Sequence, residues 1–155
     1  MVRRAVSSNP YFSVSDVEIS RPGKSYSIET IRYFLERRPD AFFFILGSDA
    51  FSDIETWKEF QNLFLLCHFI VMTRPGSQKE LTLPRALFPN FRYASEEKAW
   101  VHVSGYMLYL KEISFLDISS TKVRELIKKG RSVRYLIPPE VETYIHDHSL
   151  YRRAS

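Results

Sequence analysis

Hydroxyl side chains fill positions 119–121, and Arg124 follows one helical turn later. Apolar residues recur at helical spacing within 123–127 and Gly130 ends the pattern, so the hydroxyls stand at a helix N-terminus. Free backbone N–H groups, hydroxyls and a guanidinium at the positive end of a helix dipole suit an anion, most often phosphate. Simple capping of the helix would use the same residue types, so both interpretations stay open at this point.

Strand and helix patterns alternate along the chain. Strands are predicted at 11–19, 42–47, 67–73, 100–104 and 107–113. Helices are predicted at 28–37, 119–130 and 138–148, with short helical pieces over 48–64. Ser27 is the expected N-cap of the first helix, and Thr56 is expected to cap the second short piece. The continuous apolar run 42–47 is typical of a strand buried on both faces.

This alternation predicts an α/β domain whose sheet is mainly parallel and covered by helices on both faces. Ligands of such sheets bind at the carboxyl ends of the strands. That rule selects four places, which are the loop before Ser27, the corner 47–49, the turn 73–76 and the segment 119–124. All four carry groups suited to a nucleotide, which favours phosphate binding over simple capping at 119–124.

Length and composition favour one domain spanning residues 1–155. The formal charge is +4, but the basic residues are dispersed, so neither a nucleic-acid partner nor a membrane partner is predicted. Cys67 is the only cysteine, which excludes a disulfide and fits the cytoplasm. The histidines show no metal-site spacing and are expected to be structural or at the surface: His68, His102, His146 and His148.

Several stretches together resemble one enzyme family. They are 16-DVEISRPGKSYSIETI-31, 44-FILGSDAFSDIETWKEF-60, 69-FIVMTRPG-76 and the long C-terminal stretch beginning 118-ISSTKVREL. In order and spacing they resemble bacterial nicotinate-nucleotide adenylyltransferase, and the resemblance covers almost the whole chain except 77–105. The ISSTxxR motif alone would indicate only the wider nucleotidyltransferase superfamily, whereas the SYS, GSD, TW and RPG elements point to this family.

The resemblance implies transfer of the adenylyl group of ATP to nicotinate mononucleotide, giving deamido-NAD and pyrophosphate, with Mg²⁺ assisting. It also implies a Rossmann-like nucleotidyltransferase fold. In the family the mononucleotide phosphate attacks the α-phosphorus directly, without a covalent enzyme intermediate. Catalysis would therefore consist mostly of positioning and charge stabilisation.

The resemblance implies five ATP-binding residues. Gly47 and Asp49 would hold ATP, with the aspartate bonding to its ribose. Ser119, Thr121 and Arg124 would cradle the phosphates, with Arg124 stabilising phosphate charge. Without the resemblance, Asp49 could merely cap the helix that follows the strand.

On the acceptor side, the resemblance implies three residues that bind nicotinate mononucleotide. Ser27 stands where the family usually has threonine, near the nicotinate carboxylate, and the change keeps the hydroxyl. Trp57 would stack on the pyridine ring, and Arg74 would face the mononucleotide phosphate. Taken alone, Trp57 could equally be a core residue and Arg74 a solvated turn residue.

The sequence departs from the family at its beginning. The family opens with a GxFDPxHxGH segment on its first strand and helix, and this N-terminal βαβ portion is absent from the chain. Its histidines stabilise charge on the transferring phosphate, so the catalytic residues beyond Arg124 stay unknown. We expect an incomplete form of the enzyme with exposed strand edges, which would favour a homo-oligomer.

Two alternatives remain open. The chain could be a catalytically impaired, nucleotide-binding fragment of that enzyme. It could also be another adenylyltransferase of the superfamily, such as a phosphopantetheine adenylyltransferase, although that assignment finds no support in the SYS, TW and RPG elements.

Overall fold

The computed structural model describes residues 1–38, 41–73, 83–114, 116 and 118–152. The chain forms two compact units. The terminal unit consists of Met1–Asp16 and Leu116–Ser155, and the sheet unit consists of Val17–Phe115. Whether the two units make the single domain expected from chain length stays a prediction.

The sheet unit contains one five-stranded mixed sheet. Its strands are β1 (Phe43–Gly47), β2 (His68–Thr73), β3 (Phe91–Ala94), β4 (Ala99–His102) and β5 (Met107–Glu112). Their order across the sheet is β1-β2-β5-β4-β3. Pairing is parallel for β1–β2 and β2–β5 and antiparallel for β5–β4 and β4–β3.

The class is therefore α/β as expected, but the sheet is less parallel than the sequence pattern predicted. The reason lies in the connections. Only 95–98 separate β3 from β4, and only 103–106 separate β4 from β5. Connections this short can join only antiparallel neighbours, because a parallel crossover needs about a dozen residues or more.

Helices surround the strands in chain order. They are α1 (Val2–Ala5), α2 (Val17–Ser20), α3 (Ser27–Arg37), α4 (Ser48–Ser52), α5 (Phe60–Leu63), α6 (Ser120–Lys128) and α7 (Pro139–Asp147). Two 3₁₀ segments, Ile54–Thr56 and Arg85–Asn90, complete the described helical structure. The predicted helices at 28–37, 119–130 and 138–148 and the short pieces over 48–64 correspond to these elements. Among the described residues, no helix is long and apolar enough to cross a bilayer.

Three local predictions are wrong. No strand forms over 11–19; instead α2 begins at Val17, and Tyr11 and Phe12 are exposed, so the alternating pattern has no sheet face to cover. Ser27 is the first helical residue of α3 and caps nothing, because the N-cap position belongs to Tyr26. Thr56 closes a 3₁₀ turn, and its hydroxyl donates to the carbonyl of Asp53 at 2.7 Å.

One face of the sheet carries the core of the sheet unit. The rings of Phe64 and Phe69 lie 4.6 Å apart, and Ile28 and Ile31 of α3 are buried in the same cluster. Burying two branched aliphatic side chains is worth roughly 3–6 kcal/mol, which is ample to hold one face of a short helix.

The prediction that 42–47 is buried on both faces is wrong. Within the described residues β1 is an edge strand. Phe43 is 44% and Ile45 is 57% exposed, while Leu46 on the opposite face is buried.

The terminal unit contains the amphipathic helix α6, with Val123 buried. Gly130 has φ +66 and ends the helix in a Schellman motif. Its N–H donates to the carbonyl of Ile127 at 3.0 Å, and the N–H of Arg131 donates to that of Leu126 at 2.9 Å. Helix α7 ends in the same hydrogen-bond pattern, although Ser149, with φ 50, takes the left-handed position there.

Substitutions at these two helix ends should change stability in opposite directions. Gly130→Ala should lower the free energy of unfolding by about 1–2 kcal/mol, because a Cβ disfavours the left-handed conformation. Ser149→Gly should raise it by up to about 1 kcal/mol for the same reason. Urea unfolding followed by circular dichroism measures both, and a stabilising Gly130→Ala would contradict this description of the helix end.

Candidate functional site

A cavity of about 260 Å³ opens at the N-terminus of α3. We call it the α3 pocket, and its lining residues are Ser25, Tyr26, Ser27, Thr56, Trp57 and Lys58. Its volume lies near the lower end of ligand sites, which is about 300 Å³, so it suits one aromatic ring better than a whole nucleotide. Ser27 and Trp57, which the sequence predicts to bind the same acceptor, line this one cavity.

The local fold explains how these two side chains meet. Ser27 is the first residue of α3, and the helix is fixed against the core by Ile28 directly after it. The N–H of Trp57 donates to the carbonyl of Ile54 at 3.0 Å, which closes the 3₁₀ turn. The indole then lies edge-on to Phe44, with ring centroids 6.2 Å apart. Trp57 is half-buried, so it both packs on the core and lines the cavity.

A charged cluster borders the α3 pocket. The carboxylate of Glu29 accepts hydrogen bonds from Lys58 Nζ at 2.7 Å and from Arg21 Nη1 at 3.3 Å. The ammonium of Lys58 also lies 4.4 Å from the centroid of the Tyr26 ring. The hydrogen bond between them lowers the pKa of Glu29 and raises the pKa of Lys58, so both groups are charged at neutral pH.

At the end of β1, Gly47 and Asp49 form an exposed corner. Gly47 is the N-cap residue of α4, and a Cβ built on it would meet no atom within 4 Å. Open space above a strand end leaves room for a ligand to approach the backbone closely. Asp49 lies within the first turn of α4 instead of capping it, and no partner engages its carboxylate among the residues that the structure describes.

At the start of α6, the hydroxyl of Ser119 caps the helix by accepting the N–H of Lys122 at 3.2 Å. The capping interpretation of this serine is therefore confirmed. Arg124 Nη2 lies 3.4 Å from Thr121 Oγ1, which holds the guanidinium beside the first turn. These three side chains are exposed, and two of them line a cavity of about 460 Å³ within the terminal unit.

The structure thus brings the predicted residues together in three groups. Ser27 and Trp57 share the α3 pocket, Gly47 and Asp49 share the corner after β1, and the three remaining ATP-side residues share the start of α6. Arg74 lies outside the described residues.

Sequence reasoning missed Lys58, Tyr26 and Glu29 as residues bordering the pocket. Lys58 directly follows Trp57, and Tyr26 and Glu29 flank Ser27, so their proximity in sequence to the predicted residues is the signal that could have found them.

The histidines and the cysteine have structural surroundings. His102 is 5% exposed, burial lowers its pKa, and its Nδ1 accepts the N–H of Ser104 at 3.2 Å. Nδ1 of His68 accepts the N–H of Met107 at 3.1 Å. Within the described part of the chain, no three His, Cys, Asp or Glu side chains are grouped to hold a metal ion.

Comparison with known proteins connects these groups to one family. The cytidylyltransferase-like family model matches residues 1–126. The probable nicotinate-nucleotide adenylyltransferase of Geotalea uraniireducens is 46% identical over 99% of this chain and 73% of its own length. The corresponding protein of Geobacter sulfurreducens is 46% identical over 97% of this chain and 72% of its own length.

Solved structures agree at the level of the fold. The nicotinic acid mononucleotide adenylyltransferase of Plasmodium falciparum, complexed with APC, superposes with a TM-score of 0.61 at 22% identity. The match covers 94% of this chain and 70% of that one. The same enzyme complexed with NaAD gives a TM-score of 0.55 at 24% identity, over 85% and 60% of the two chains.

Cys67 should be inert in the folded protein, because burial raises the pKa of its thiol to about 12. A disulfide reagent at pH 8 should therefore label the native chain at least about 100-fold more slowly than the urea-unfolded chain, since only the thiolate reacts. Absorbance of the released thiolate follows the reaction. Equal labelling rates for the two forms would contradict the buried position.

Proposed function

Because this chain belongs to the nicotinate-nucleotide adenylyltransferase family, we propose that its three groups of site residues divide the two substrates of that reaction between them. The activity is the transfer of the adenylyl group of ATP to nicotinate mononucleotide in NAD biosynthesis. A phosphate oxygen of the mononucleotide attacks the α-phosphorus of ATP, the bond to the β-phosphate breaks, and pyrophosphate leaves.

The α3 pocket binds the pyridine ring of nicotinate mononucleotide. The observation that carries this assignment is the joint lining of one ring-sized cavity by Ser27 and Trp57, which come from separate segments. The indole offers a flat surface for stacking, worth about 0.5–1.5 kcal/mol beyond buried area. The first N–H groups of α3 have no intrahelical acceptor and face the positive end of the helix dipole, which favours the nicotinate carboxylate. Arg74 is proposed to face the mononucleotide phosphate.

ATP binds to the other two groups. The free carboxylate of Asp49 is suited to accept hydrogen bonds from ribose hydroxyls, and Gly47 leaves room for the nucleotide. Ser119, Thr121 and Arg124 cradle the phosphates, since their exposed hydroxyls and guanidinium surround a helix N-terminus. Arg124 contributes most to the transition state, because negative charge develops on the oxygens around the transferring phosphorus.

Mg²⁺ fits this arrangement as a partner of ATP. Protein sites commonly hold Mg²⁺ through one or two carboxylates together with substrate phosphates, and they leave several of its waters in place. When bound, the ion would neutralise phosphate charge. The described residues contribute the hydroxyls and the guanidinium to that phosphate site.

The remaining assignments follow from the family. We propose the Rossmann-like nucleotidyltransferase fold, a cytoplasmic location and no binding to nucleic acid or membranes. A homo-oligomer is proposed through β1, whose exposed apolar edge could pair with a second copy.

The test of this function is pyrophosphate release by the 155-residue chain with ATP, Mg²⁺ and nicotinate mononucleotide, checked by mass spectrometry of the dinucleotide. Arg124→Met should lower kcat about 10²–10³-fold, because it removes charge stabilisation from the transferring phosphate.

Lys128→Met, one turn further along α6, is the matched control and should leave kcat within about twofold. Absence of the dinucleotide from a folded sample would contradict the proposal. Equal losses in the two variants would contradict the role of Arg124.

A further inference from the structure

Lys58 is the cationic side chain that lines the α3 pocket. The other polar side chains lining it carry neutral hydroxyls: Ser25, Tyr26, Ser27 and Thr56. The Lys58 side chain is 42% exposed, so its ammonium lies at the cavity edge and can turn toward a ligand.

The surroundings of Lys58 leave a surplus of positive charge. Glu29 is bonded to both Lys58 and Arg21, so the two cations and one carboxylate of this cluster sum to +1. The neighbouring ion pair of Arg32 and Glu59, 2.8 Å apart, is neutral by itself. An anion that enters the α3 pocket therefore meets an incompletely neutralised cluster.

The ammonium also has donors to spare. A lysine ammonium has three N–H donors, and the hydrogen bond to Glu29 uses one of them. The Tyr26 ring, with its centroid 4.4 Å from Nζ, and the carboxylate of Glu29 together hold the ammonium beside the cavity. It is therefore pre-positioned before any ligand arrives.

We propose that Lys58, held in place by Glu29, is a specificity-determining residue that selects nicotinate mononucleotide over nicotinamide mononucleotide by pairing with the carboxylate of the pyridine ring. This inference rests on the proposed function of the α3 pocket. The two mononucleotides differ at that one substituent. A carboxylate gains a charge-assisted hydrogen bond from the ammonium, whereas a neutral carboxamide accepts only an ordinary hydrogen bond through its carbonyl.

Lys58→Met keeps the aliphatic part of the side chain and removes the charge. It should lower kcat/KM for nicotinate mononucleotide roughly tenfold, through KM, and leave the value for nicotinamide mononucleotide within about twofold. Lys58→Arg should recover most of the discrimination, because it keeps a cation within reach of Glu29. Arg32→Met, which breaks the neighbouring ion pair outside the cavity, is the matched control and should leave the ratio unchanged.

Isothermal titration of each variant with each free mononucleotide measures the same discrimination without catalysis. An unchanged ratio in Lys58→Met, or an equal loss for both nucleotides, would overturn the inference. A wild-type chain that forms no dinucleotide would contradict the proposed function instead, and the titrations would still decide the role of Lys58. Circular dichroism of each variant shows whether it is folded.

Discussion

The contact of Phe44 with its aromatic neighbours is the constraint on which the acceptor side depends. From β1 this ring reaches Phe69 of the next strand at 5.5 Å and the indole of Trp57 at 6.2 Å. The parallel register of β1 and β2 pairs these two phenylalanines directly. The sheet core thus holds the wall of the α3 pocket, and a shift of one residue in that register would turn Phe44 to the other face.

The same core positions the remaining part of the pocket. Ile28 and Ile31 anchor α3, so the N-terminus of that helix opens beside Trp57, and the charged cluster around Glu29 borders it. Rigid packing supplies the stacking surface, whereas the exposed ion pairs supply charge at little energetic benefit to folding. A cluster that contributes little to stability yet surrounds a cavity is better explained by recognition than by structure.

Sequence patterns predicted the elements whose signals are local and strong. The helix at 28–37, the apolar strands at 42–47 and 67–73, and α6 with its glycine stop were readable because periodicity and turn residues agreed. The sheet topology was not readable, since β3 has only four residues and its pairing with β4 depends on tertiary packing. The exposed face of β1 was missed because a continuous apolar run does not reveal which faces are covered.

The site was predictable as a set of residues but not as a set of contacts. The motifs identified Ser27 and Trp57, yet no periodicity could show that Lys58 and Glu29 meet across 29 positions of sequence beside the same cavity. Spacing also could not show that Ser119 both caps α6 and stands in the predicted phosphate group.

The most direct test of the central claim is a backbone and indole chemical-shift titration of the 18.3 kDa chain with nicotinate mononucleotide. The claim that the α3 pocket is the acceptor site predicts the largest shifts at the amides of residues 26–29 and at the indole N–H of Trp57, with Trp100 unaffected. Shifts concentrated elsewhere in the chain, with residues 26–29 and Trp57 unchanged, would contradict it.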